Sequence, residues 1–243
     1  MVLDSNNLNK KLTIKNSKSE ILAVDNTFNE ELIFSGEKNQ TIKAFNLNGQ
    51  IKYDMKLDGY PTCFLNMERG KKKILAVGLS NGKVNIYDQK INLCQEIPPN
   101  VKIDEKKNIL NNEEQNCVAS LSIDEAGEYL FIAYKNGVTM AIYLDFNDIY
   151  FKEENVGVFK KNKYEINKIL FESNFFTIFF IGDNKGLKIK SVKGNFKYFE
   201  DNTAACYSMC FDRSKNFLFA GFGDGNIRVY HLKWCGEWKF IFK

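Results

Sequence analysis

Residues 218–231 read LFAGFGDGNIRVYH. An apolar run leads into three glycines within five residues, Gly221, Gly223 and Gly225, and an alternating segment follows. Two readings compete. A loop that cradles a phosphate needs a strand, G-x-G-x-x-G, and then a helix whose N-terminus meets the anion. A tight hairpin turn needs only residues that tolerate positive φ between two strands. The segment NIRVYHL after Gly225 alternates and carries two β-branched residues, so the pattern predicts a strand there. No G-x-x-x-x-G-K-[ST] occurs in the chain. The hairpin reading stands, and it can be checked by recurrence.

The pattern recurs four more times, as LIFSGEKNQTIKAF (32–45), LAVGLSNGKVNIYD (75–88), FIAYKNGVTMAIY (131–143) and FFIGDNKGLKIK (179–190). The aligned small residues are Gly36, Gly78, Ala133, Gly182 and Gly221, separated by 42, 55, 49 and 39 residues. Four positions later stand Gln40, Gly82, Gly137, Gly186 and Gly225. A period near 40 marks a repeat architecture and falls in the range of propeller blades. The turn glycines Gly82, Gly137, Gly186 and Gly225 answer a need for positive φ, and Gly221 one for close packing between strands. Gly223 has no counterpart in the other four copies.

Each copy is flanked by further strand-like segments. Pro61–Leu65, Val118–Ile123, Ile166–Phe171 and Cys206–Phe211 precede the pair, and IKYDMK (51–56) and WKFIF (238–242) follow it. Strand, turn, strand, NG or DG turn, strand, loop, strand, five times over, is the pattern of a radial β-propeller. The expected fold is all-β, with four-stranded antiparallel blades as one domain over 1–243. The units are 19–57, 58–94, 117–160, 164–200 and 204–243, with an inserted loop at 95–116.

The repeats resemble the WD40 family, most closely over Cys206–His231 and then over Ile74–Asp88, where Tyr87-Asp88 stands in place of the family's Trp-Asp. The Gly-His dipeptide that opens a family repeat is missing, because His231 is the only histidine. The resemblance therefore implies blades held by aromatic and aliphatic packing instead of the family's buried His-containing network. Family rings usually close with seven blades, and here five are visible, plus an extra N-terminal strand at Lys10–Lys15. Three arrangements are open: a piece of a larger ring, a ring completed by a partner at an open edge such as Trp238–Phe242, or tight closure of five blades.

Composition restricts the function classes. The 243 residues are 44% hydrophobic and carry a formal net charge of +4, a mild basic excess that does not demand nucleic acid. The longest apolar run, Phe175–Ile181, is too short to span a membrane and suits one buried strand. No membrane insertion and a cytoplasmic location are expected, with nuclear or ciliary sites open. The six cysteines are spread through the chain, so free buried thiols are expected. Cys206 and Cys210 lie four apart on one strand, which puts both on one face.

No catalytic, metal or cofactor constellation emerges. His231, a lone histidine at a strand end, reads as structural. Lys71–Lys73 and Lys160–Lys163 lie in turns without interleaved aromatics. The chain is expected to be a non-enzymatic scaffold subunit of a multiprotein complex. The alternative is an RNA-associated non-catalytic subunit, for example of a tRNA-modifying or RNA-processing complex. The joins between units place the partner-binding rim at Asp25-Asn26, Tyr60-Pro61 and Tyr164-Glu165.

Overall fold

The computed structural model describes residues 2–3, 10–14, 18–26, 32–69, 72–99, 116–145, 150–159, 162–172, 178–191, 196–198, 203–232 and 238–242. A short ribbon comes first, β1 (Val2–Leu3) paired antiparallel with β2 (Lys10–Leu12). Five four-stranded antiparallel sheets follow in chain order. Blade 1 is β3 (Ile21–Asn26), β4 (Leu32–Glu37), β5 (Thr41–Asn46) and β6 (Ile51–Lys56). Blade 2 is β7 (Pro61–Arg69), β8 (Lys72–Leu79), β9 (Val84–Tyr87) and β10 (Leu93–Ile97). Blade 3 is β11 (Val118–Ile123), β12 (Tyr129–Tyr134), β13 (Thr139–Asp145) and β14 (Tyr150–Phe159). Blade 4 is β15 (Ile166–Glu172), β16 (Ile178–Asp183), β17 (Gly186–Ser191) and β18 (Phe196–Tyr198). Blade 5 is β19 (Cys206–Phe211), β20 (Phe217–Phe222), β21 (Ile227–Leu232) and β22 (Trp238–Phe242).

The sequence reading needs one adjustment. Residues 95–97, assigned to the inserted loop, belong to the outer strand of blade 2. The extra N-terminal strand is present as β2, which among the described residues pairs with Val2–Leu3 and with no blade. The rest of the insertion, beyond Pro99 and before Asn116, lies outside the described residues.

Four of the five hairpin turns obey the backbone logic of the repeats; in blade 4 Gly186 instead pairs with Asp183 at the start of β17, at φ +148°, and the turn is Asn184-Lys185. Gly82, Gly137 and Gly225 sit at φ +87°, +89° and +83°, and Gln40 takes the same left-handed conformation at φ 68°. A second device repeats five times without a sequence signature. The residue two past the aligned small position donates its amide to the carbonyl just before the inner strand of its own blade. The pairs are Lys38 to Glu20, Ser80 to Tyr60, Lys135 to Cys117, Asn184 to Glu165 and Gly223 to Ala205. Gly223 is thus the fifth member of this series. A side chain there would press on the Tyr207 ring, 3.0 Å from an added Cβ.

The core lies between blades. Each of blades 1–4 presents its aligned small residue, together with its neighbours across the strand, to the next blade. Phe34, Ile42 and Ala44 of blade 1 pack on Leu75, Val77 and Leu79 of blade 2. Ala76, Val84 and Ile86 of blade 2 meet Val118, Leu130 and Ile132 of blade 3. Phe131, Ala133 and Ala141 of blade 3 meet Ile166, Phe179 and Ile181 of blade 4. Phe180 and Leu187 of blade 4 meet Cys206, Leu218 and Ala220 of blade 5. The glycines let the backbones close. A Cβ on Gly36 would fall 2.7 Å from Pro61, one on Gly78 2.6 Å from Val118, and one on Gly182 2.9 Å from the Cys206 carbonyl. Inner strands touch in the series β3, β7, β11, β15, β19, with no comparable packing of β19 on β3 among the described residues.

Candidate interaction site at the channel mouth

Every inner strand carries a β-bulge at its second residue. Register slips across Leu22, Thr62, Ala119, Asn167 and Tyr207. A bulge re-aims the extra side chain. Four of these five residues, Leu22, Thr62, Ala119 and Asn167, together line a cavity of about 310 Å³ where the inner strands begin. Tyr60, Cys117, Val118 and Ile166 complete its apolar wall, and Lys38 and Lys135 stand at its edge. The bulged polar residues also tie neighbouring blades. Thr62 Oγ1 donates to the Val118 carbonyl at 2.6 Å, and Asn167 Nδ2 to the Cys206 carbonyl at 3.0 Å.

The same bulge corrects the reading of Cys206 and Cys210. The slip between Cys206 and Ser208 sends them to opposite faces. Cys206 is buried against blade 4, and Cys210 is exposed. Burial pushes the Cys206 thiol up to about 12 and the Cys63 thiol up to about 11. The expectation of generally buried thiols is met by Cys117 and Cys206 only in part of the set, since Cys94 and Cys210 are exposed and Cys235 lies outside the described residues.

The predicted rim residues separate into two groups. Tyr60, Tyr164 and Glu165 lie just before β7 and β15, at the mouth. The carbonyl of Tyr60 accepts the Ser80 amide, and Glu165 accepts from Asn184 through both its carbonyl and its carboxylate. Pro61 is buried beneath Gly36, so it serves the joint between blades 1 and 2. Asp25 and Asn26 lie near the far end of β3, about 10 Å along the strand from Leu22. There the Asn66 amide reaches the Asn26 carbonyl, and burial raises the Asp25 carboxyl above its usual range, partly offset by Lys168. His231 stacks on Phe217, with ring centroids 5.0 Å apart.

Sequence reasoning missed the polar clamps that fasten the blades. Aromatic and aliphatic packing was expected to act alone. In blade 4, Lys188 Nζ lies 2.9 Å from Asp183 Oδ2, and both side chains are fully buried. Asn162, from the loop before the blade, donates to the same carboxylate oxygen at 3.0 Å and accepts from Lys188. Asp183 Oδ1 takes the turn amides of Lys185 and Gly186. Desolvation lowers the Lys188 ammonium from its usual value. Blade 5 repeats the device: Arg228 binds Asp224 at 2.6 Å and Thr203 at 2.9 Å. In blade 1, Lys43 pairs with buried Glu37 at 3.0 Å. A cation on the third strand thus replaces the missing histidine network. The alternation that flagged these strands gave no hint that the cations point inward.

One further arrangement appears at the mouth. Lys163 and Lys185, from different loops, hold their ammonium groups 5.6 and 5.8 Å from the Tyr164 ring centroid. Among the described residues no three His, Cys, Asp or Glu side chains cluster as a metal site. No helix among them is long and apolar enough to cross a membrane.

Comparison with known proteins fits this geometry. The sequence profile of the family described as "WD domain, G-beta repeat" matches residues 194–231. One repeat of the chain thus matches that family, and the fold is that of a β-propeller. A solved structure titled "Structure of U3-55K" superposes with a TM-score of 0.69 at 11% identity, covering 90% of this chain. The chain spans 63% of that neighbour's length. No curated protein sequence matches it.

Proposed function

We propose that this chain is a non-enzymatic protein-interaction scaffold, a subunit of a cytoplasmic multiprotein complex, that binds partners at the channel mouth. The observation that carries the reading is the cavity of about 310 Å³ built from four blades. Its wall is mostly apolar, its lining includes Lys38 and Lys135, and its backbone is fixed by four of the repeated turn hydrogen bonds, those of blades 1–4. A rigid concave surface of this kind limits the entropy lost when a partner is ordered on it. The test is affinity purification from the native cell with the doubly substituted Tyr60→Ala, Lys135→Glu chain. The expected outcome is loss of the co-purifying proteins with unchanged circular dichroism. An unchanged set of co-purifying proteins would overturn the reading.

A second reading has one observation in its favour, the Tyr164 ring with the ammonium groups of Lys163 and Lys185 5.6 and 5.8 Å from its centroid. Aromatic and cationic groups together are what single-stranded RNA engages. Binding of labelled RNA at physiological salt that falls on Tyr164→Ala would support an RNA-associated subunit. Absence of binding there leaves the protein scaffold alone.

A further inference from the structure

Of the residues that line the mouth cavity, only two are charged, and both are lysines. Lys38 and Lys135 hold the same place in blades 1 and 3, two past the aligned small residue, and stand on either side of blade 2. Each has its backbone amide tied down, Lys38 to the Glu20 carbonyl at 2.9 Å and Lys135 to that of Cys117 at 3.0 Å, while the residue itself stays exposed. The acids at this end of the blades are engaged. Glu20 sits on Lys38 at 3.0 Å, in an exposed pair of the kind that water holds only weakly. Asp58 and Glu96 share Lys83 at 2.5 and 2.9 Å, Asp224 binds Arg228, and Glu165 accepts the Asn184 side-chain amide. Further down the channel, the Asp25 carboxylate feels the charge of Lys168. Among the described residues, Lys135 has no carboxylate within ion-pair distance.

From this we infer that the mouth takes an acidic linear segment of a partner protein. One apolar side chain enters the cavity, and carboxylates on either side of it pair with Lys38 and Lys135. The inference rests on the scaffold reading and names the class of partner. Leu22, Val118, Ala119 and Ile166 give the anchor an aliphatic seat. A cation without a carboxylate partner beside that seat selects for an anionic ligand and speeds its arrival. The lining argues against a nucleic acid at the same place. Tyr60 is its one aromatic ring, whereas a platform for successive bases needs several. Its polar groups are already committed. Thr62 Oγ1 faces the Gly78 and Val118 carbonyls, and Asn167 Nδ2 donates to Asn184 Oδ1 and to the Cys206 carbonyl. No side-chain donor other than the lysines and Tyr60 is left there to read a base edge. Lys38 must release Glu20 before it can serve, so Lys135 carries the larger share of the recognition.

The test is selection of a phage-displayed random peptide library on the full chain, followed by fluorescence anisotropy with an enriched peptide. The inference predicts enrichment of Asp and Glu on both sides of one apolar residue. Affinity should fall about tenfold or more on Lys135→Glu, and by less on Lys38→Glu. It should hold on Lys90→Glu, which makes the same change of net charge at an exposed turn of blade 2. Selection on the Lys135→Glu chain should bring out Lys or Arg in place of one acid, an outcome that a misfolded variant cannot give. Enrichment of neutral or basic peptides that Tyr60→Ala releases would overturn this inference and leave the scaffold reading intact. No enrichment, as when another segment of this chain holds the cavity, or an equal loss on Lys90→Glu, would overturn it. Single-stranded RNA held at the mouth more tightly than any enriched peptide would overturn it in favour of the RNA reading.

Discussion

Blades 4 and 5 have the same strand order and the same kind of polar clamp, yet equivalent positions fare differently in the two. Leu187 of blade 4 is buried, and its counterpart Ile227 is 66% exposed. Gly182 is pressed by Cys206, and Gly221 is not pressed by any neighbouring blade among the described residues. The clamp follows suit. Asp183 is fully buried, whereas Asp224 keeps 27% of its side chain in solvent. The difference lies in what comes next. Leu187 and Gly182 are covered by blade 5, whereas Ile227 and Gly221 have no packed blade against them among the described residues.

That contrast makes paired predictions. The largest effect is expected at the clamps. Lys188→Ala leaves Asp183 charged and buried, and should cost about 3–5 kcal/mol in urea unfolding. Arg228→Ala should cost clearly less, because water reaches Asp224. Equal losses would show that the blade 5 clamp is as dry as that of blade 4. Next come the apolar pairs. Ile42→Ala should destabilise by about 2–5 kcal/mol and Ile227→Ala by about 0.5 kcal/mol or less. A matching loss at Ile227 would mean that something covers it in solution. The glycines follow. Gly78→Val should cost about 1–3 kcal/mol by overpacking Val118, and Gly221→Val should be neutral within about 0.5 kcal/mol. A thiol contrast refines the same boundary. At pH 8, iodoacetamide should alkylate exposed Cys210 in the native chain and spare Cys206, whose thiol stands at about 12. Mass spectrometry of the alkylated peptides reads this, and equal labelling of both would contradict the burial of Cys206.

The repeat was legible because turn chemistry is local. Gly82, Gly137 and Gly225 announce positive φ, and the alternation after each announces a strand with one buried face. The outer strand at 238–242 followed from the same count. What stayed hidden depends on tertiary geometry. One-residue bulges leave no mark in composition, yet the one at Tyr207 reverses Cys206 relative to Cys210, and those at Leu22, Thr62, Ala119 and Asn167 bring these four residues around one cavity. Lys188 and Arg228 look like the solvated face of an alternating strand, and their inward aim depends on Asp183 and Asp224 in the turn. Pro61 and Tyr60 are neighbours in sequence, but one is buried beneath Gly36 and the other lines the mouth. The bare face of blade 5 could not be read at all. Its residues match those of the covered blades in type and differ only in having no blade packed on them among the described residues.

Hydroxyl-radical footprinting of the isolated chain tests that asymmetry most directly, by the oxidation rate of each side chain. Phe219 and Ile227 should oxidise rapidly while Phe34, Ile42 and Phe180 stay protected until the chain unfolds. Protection of Phe219 and Ile227 equal to that of Phe34 and Ile42 would contradict the account, because blade 5 would then have a covering of its own.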